Sequence, residues 1–323
     1  MTGIICAIAG MSIPPSGLYS FTNATFTPGV KTGDSGPSLT EARNGLTGTG
    51  VDTWKNDTSF FNVTSGIQYW TVPATGSYQI EAKGAKGGNG AGGTGGAGAS
   101  IRGDFSLIEG EIIRILVGQA GGSRPGSDSN SAGAGGGGTF VVKTPYDSNA
   151  SILVVAGGGG GSGSATGGGT GQTSTAGGPG QGGSPGGGGI NGGGGGGAQN
   201  GSAGNATTPG GNGSSCSFGV GGGGFLSRGG YNCSGSSPLI AGFSFVSGGL
   251  GGPADTGRSG APGGFGGGGG VGHRASGGGG YGGGGGCGGS TGGGGGGSYN
   301  NGSNQVNTAG NNAGPGQVII TRL

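Results

Sequence analysis

Charge and bulk are both scarce in this chain. Asp, Glu, Lys and Arg together make up 7% of its 323 residues, and hydrophobic residues only 28%. So few large side chains cannot bury one extensive apolar core over the whole length. Histidine occurs once, at His273, which excludes a multi-histidine metal site, and no nucleophile–base pair assembles around it. The four cysteines (Cys6, Cys216, Cys233, Cys287) show no C-x-x-C spacing, which argues against a zinc site. A Cys216–Cys233 bridge and separate thiols are both open readings. The net charge is only +2, and beyond residue 150 the basic side chains are Arg228, Arg258, Arg274 and Arg322. Arg-Gly-Gly occurs once, at Arg228, whereas a nucleic-acid-binding segment of that type needs many repeats. The apolar run from Gly3 to Ile13 is too short and too broken to span a membrane. No Lys or Arg precedes it, so it does not read as a signal peptide either. The expectation is a protein that is not an enzyme, carries no cofactor or metal, and neither binds nucleic acid nor enters a membrane.

What is abundant is glycine: 105 residues, about a third of the chain against a usual ~7%. Strict glycine at every third position is missing, and there are 14 prolines in all, so collagen is excluded. In such a composition, G-x-G-x-x-G matches carry no information.

The remaining sequence divides the chain into three expected parts. Residues 1–65 read as a docking module. Ile4, Ile5, Cys6 and Ile8 form an apolar arm, Leu18–Thr22 a short strand, and Ser38-Leu-Thr-Glu41 with Gly45 a capped helix. Trp54, Phe60 and Phe61 are the anchors expected to staple this module to its neighbour. Residues 66–156 carry strand patterns at 67–72, 77–82, 99–107, 111–117, 139–142 and 152–155, with Tyr78, Ile80 and Ala82 alternating with polar residues. Gln317–Thr321 reads as a closing strand, so 66–156 plus 316–323 predict an all-β antiparallel sandwich or jelly roll. Residues 157–315 are then an insertion. A flexible linker is one reading, but large residues recur between the glycine runs. The ordered alternative is a bundle of polyglycine II helices: extended threefold chains packed so closely that neighbouring backbones bond to one another. Gly192–Gly197, Gly266–Gly270, Gly282–Gly286 and Gly292–Gly297 are the candidate helices.

A glycine lattice has no side chains to vary, so recognition is expected in exposed aromatic and polar residues at its turns. The candidates are Phe225, Arg228, Tyr231, Phe265, His273, Arg274, Tyr281 and Tyr299. Each has an alternative role as a plug or a solvated turn residue.

The segments 76–88, 111–122, 135–142, 152–161 and 263–270, and then Cys287 with 292–299, resemble in order the glycine-rich domain of anaplastic lymphoma kinase and its leukocyte relative. That resemblance covers roughly 66–323 and implies a tumour-necrosis-factor-like jelly roll with inserted polyglycine helices, used for protein binding. The opening 1–10, Phe21–Phe26 and Gly36–Ala42 resemble bacteriophage tail and fibre-like proteins, notably marine ones; stacked polyglycine helices are also found in phage tail-tip adhesins. This second resemblance implies a virion appendage, made in the host cytoplasm, that docks on other tail subunits. A homotrimer is favoured, with a host-surface receptor as its target. A decoration protein without receptor role and an extracellular glycine-rich binding protein are the alternatives.

Overall fold

The computed structural model describes residues 17–124, 131–199, 201–213, 219–231, 241–255 and 260–323. The strands are β1 (Asn23–Phe26), β2 (Phe61–Thr64), β3 (Ile67–Thr71), β4 (Gly76–Lys83), β5 (Gly98–Leu107), β6 (Ile112–Leu116), β7 (Thr139–Val142), β8 (Ile152–Ala156), β9 (Tyr299–Asn300), β10 (Ser303–Asn312) and β11 (Gln317–Arg322). They form two antiparallel sheets, ordered β1-β11-β4-β5-β10 and β2-β3-β6-β7-β8-β9. The protein is an all-β sandwich.

Alternation explains the first sheet. Tyr78, Ile80 and Ala82 of β4 and Val318 and Ile320 of β11 point into the core, with Gln79 and Glu81 of β4 and the half-buried Ile319 of β11 on the other face. Trp70 lies at the centre, its ring 5.2 Å from Phe21 and 6.0 Å from Tyr78. The second sheet behaves differently. Every residue of β7 and β8 is buried, because both faces of that sheet are covered. Val141, Leu153 and Val154 face the sandwich core. Phe140, Val142, Ile152 and Val155 face outward, against Phe225, Phe245, Phe265 and Tyr281 of the glycine-rich region.

The glycine segments leave and re-enter the strands directly, and they bond to one another through backbone groups. Successive donors rotate among neighbours with a period of three. Gly283 and Gly286 donate to Gly193 and Gly196, Gly284 and Cys287 to Gly278 and Ala275, and Gly285 and Gly288 to Gly178 and Gln181. The stretch 133–138 repeats the pattern against 159–162, 119–122 and 266–269. The spacing excludes side chains: a Cβ on Gly159 would lie 1.8 Å from the Gly96 carbonyl oxygen.

Several expectations change. The first strand is Asn23–Phe26 rather than Leu18–Thr22, because it pairs with β11. Within residues 17–65, β1 and β2 each belong to one of the sheets, and Trp54 and Phe61 are buried in the common core. Backbone bonding of the glycine layer extends beyond residues 157–315. Gly84–Ala97, Gly118–Arg124 and Gly133–Gly138 share the glycine layer's backbone bonds, as in Gly136 N–H to Gly159 O at 2.8 Å. At the other end β10 belongs to the sandwich and pairs with β5. Within the expected helical runs, Gly192, Gly266 and Gly267 have φ of 83°, 101° and 82°, the left-handed region of turns. The helix Leu39–Gly45 carries the expected capping box, Ser38 with Glu41.

Candidate functional site

The outer face of the second sheet has an apolar end and a charged end. Leu116, Phe140 and Val155 occupy one cross-strand row, covered by the stacked rings of Phe225 and Phe245, 5.2 Å apart. The next row holds Tyr69, Arg114 and Val142, and here the cover comes from the loop after β7. Tyr146 in that loop has φ of 76° and donates its hydroxyl to the Ile112 carbonyl at 3.0 Å. Its ring lies on the Arg114 guanidinium, 3.8 Å from the ring centroid, with Tyr69 at 5.2 Å. Such contacts hold a guanidinium flat against the rings. Arg114 Nε is buried without a hydrogen-bond partner, and among the described residues the ion pairs are Lys55–Asp52 and Lys83–Glu81.

This arginine lines a pocket of about 300 Å³ with Ile67, Pro145, Tyr146, Asp147, Phe245 and Val246. Gly248 is shared with a second, larger groove of about 630 Å³, edged by Ser35, Leu39, Val63, Gly66, Ser247 and Leu250. The turn Phe245–Leu250 therefore stands between two depressions, with Val246 and Leu250 42% and 41% exposed. Both lie on the seam where the sandwich meets the glycine layer.

Of the residues expected from sequence to form a recognition surface, Phe225, Phe265, Tyr281 and Tyr299 are brought together, but as packing against the sheet rather than as an exposed face. Phe225, Phe265 and Tyr281 are buried, which corrects their expected exposure at turns: the apolar outer face of the sheet needs a cover, and these rings supply it. Burial accordingly pushes the Tyr281 hydroxyl above the ordinary phenol range, with Tyr299 adding to the effect and Asn149 opposing it. Tyr299 is half-buried, its ring 4.9 Å from Tyr281. Arg228 lies over the ring of Tyr231 at 4.4 Å, and both are half-buried. His273 and Arg274 are also half-buried, at a separate turn where Arg274 Nη1 donates to Ser290 Oγ at 3.2 Å. Ile4, Ile5, Cys6 and Ile8 of the expected docking arm lie outside the described residues, as do Cys216 and Cys233. Cys287 is a buried free thiol, pushed up to about 12 by burial.

Sequence reading missed Arg114, Tyr69, Tyr146 and the 245–250 turn. The available signal was Arg114 itself, a lone charge in Ile-Ile-Arg-Ile-Leu, since an alternating strand puts it opposite Ile113 and Ile115. Its outer face could not be known to be covered.

Among the described residues, no group of three or more His, Cys, Asp or Glu could hold a metal ion, and no helix is long and apolar enough to cross a membrane. No protein-family model matches the chain, and no curated protein matches it.

Proposed function

We propose that this chain is a non-catalytic recognition module of a bacteriophage appendage, a tail fibre or adhesin that attaches to the host surface. The observation that carries the reading is the backbone pairing with a period of three. It is what a bundle of polyglycine II helices requires, because a threefold extended chain presents its N–H groups to three neighbours in turn. Such a layer is rigid without large side chains, and it suits a part that must keep its shape outside the cell. The jelly-roll form of the sandwich is supported by the first and last strands, β1 and β11, lying side by side next to β4. Recognition then falls to the seam, where side chains return and two depressions open around the 245–250 turn.

Docking on other tail subunits through the N-terminal arm, as a homotrimer, belongs to the same reading. The test uses the purified full chain in a saturation assay on bacterial cells, with phage adsorption measured in its presence. Saturable binding and slowed adsorption are expected. A folded chain that neither binds nor competes defeats the receptor role and leaves a decoration protein as the better reading.

A further inference from the structure

We infer that the pocket around Arg114 takes a carboxylate-bearing saccharide unit, an inference that rests on the recognition reading above. Arg114 is held between Tyr146 and Tyr69 at 3.8 and 5.2 Å, and it makes no hydrogen bond or ion pair among the described residues. A guanidinium fixed as a flat fork, with no counter-ion, is organised in advance for a planar carboxylate. Its aromatic clamp lowers the ordering cost that a free arginine would incur on binding.

Asp147 lines the same pocket, so a bare anion meets repulsion there. The ligand must also bring a donor, which a sugar hydroxyl supplies. Ile67, Pro145, Phe245 and Val246 offer apolar walls to the C–H face of a pyranose ring. About 300 Å³ is room for a single unit. The larger groove continues past the shared Gly248, with Ser35, Ser38, Ser65 and Ser247 on its rim. These hydroxyls, with Lys31 and Glu41 also lining the groove, offer donors and acceptors to further sugar units.

The experiment titrates the full chain calorimetrically with methyl glucuronide, methyl glucoside, sodium sulfate and glycine. Methyl glucuronide is expected to bind at least about tenfold more tightly than the glucoside, the scale of one charge-assisted bidentate contact. Arg114→Gln should abolish that preference, and Arg114→Lys should restore only part of it, since the charge returns without the fork. Should Arg114→Gln fail to fold, Tyr146→Leu in the exposed loop removes the clamp and should reduce the same preference. Equal binding of the two sugars, or a preference that survives both Arg114→Gln and Tyr146→Leu, overturns the inference. So does sulfate or glycine binding as tightly as the glucuronide. Binding to cells separates the two claims. Cell binding by a chain that shows no glucuronide preference in calorimetry defeats the pocket inference alone. Glucuronide binding without cell attachment supports the pocket and defeats the host-attachment reading.

Discussion

In the sandwich, Trp70 touches a ring of aromatic neighbours and is fully buried; in the glycine layer, Gly284 is equally buried and has no side chain at all. The first region is stabilised by removing apolar area from water, at roughly 25 cal/mol per Å². The second buries little apolar area, and its backbone groups find partners in neighbouring segments instead. Each such bond contributes only about 0.5–1.5 kcal/mol net, and every glycine ordered costs more backbone entropy than another residue would. The layer is therefore expected to depend on the sandwich. The ring cluster of Phe225, Phe245, Phe265 and Tyr281 is the place where the two regions meet through side chains, so it is the natural point at which to separate them.

The largest effect should come from adding one methyl group to the layer. Gly159→Ala puts a Cβ 1.8 Å from the Gly96 oxygen, a contact between two backbones that no rotamer change relieves. Loss of the folded layer is expected, seen as protease cleavage within 157–300 or an insoluble product. Gly183→Ala, with nothing within 4 Å of its Cβ, should leave the melting curve unchanged. Equal tolerance of both substitutions would mean that close backbone packing does not hold the layer together.

Removing a core ring should damage the other region by the opposite mechanism. Trp70→Ala is expected to cost about 3–5 kcal/mol by denaturant titration. Phe245→Ala, at the junction, should cost about 3 kcal/mol and act unevenly. Amide exchange should accelerate in the glycine segments while β4 and β5 stay protected, which is local rather than global opening. Uniform acceleration would show that the two regions unfold as one unit.

Smaller effects refine the contrast. Ser38→Ala removes the helix cap, whose Oγ accepts from the Glu41 N–H, and is expected to cost about 1 kcal/mol without touching the layer. Cys287 gives a readout with no substitution. Burial raises its pKa to about 12, so at pH 8 the thiol stays protonated and unreactive. Alkylation followed by peptide mapping should leave Cys287 unmodified until the layer opens. Rapid modification at neutral pH in the folded protein would contradict its packing among Ala134, Val271 and Ala275.

Strand patterns at β3 to β8 and β11 were legible because alternation or a bounded apolar run is a local property of the chain. β10 was not: Ser303–Asn312 is polar throughout and mostly exposed, so no hydrophobic period marks it, and only its pairing with β5 makes it a strand. β9 is two residues long and equally silent. The candidate site was hidden for a related reason. Phe225 and Arg228 lie three residues apart in one glycine-flanked turn, and nothing local says that one is buried and the other half-exposed.

Glycine content and the scarcity of large side chains determined by themselves that part of this protein must be held by its backbone, since no apolar core of ordinary extent can be assembled from 28% hydrophobic residues. Alternation determined which face of β4 enters the core, whereas in β11, where Val318, Ile319 and Ile320 are all apolar, pairing with β4 decided it. The tertiary structure alone decided that the outer face of β6, β7 and β8 is covered, because the covering rings come from residues 225–281, far along the chain. It also decided that Arg114 is left at the edge of that cover, held by Tyr146 from a loop after β7. The physical reason is the same in both cases: burial and pairing are set by what arrives from elsewhere in the chain, and sequence periodicity reports only how a segment is divided, not what it meets.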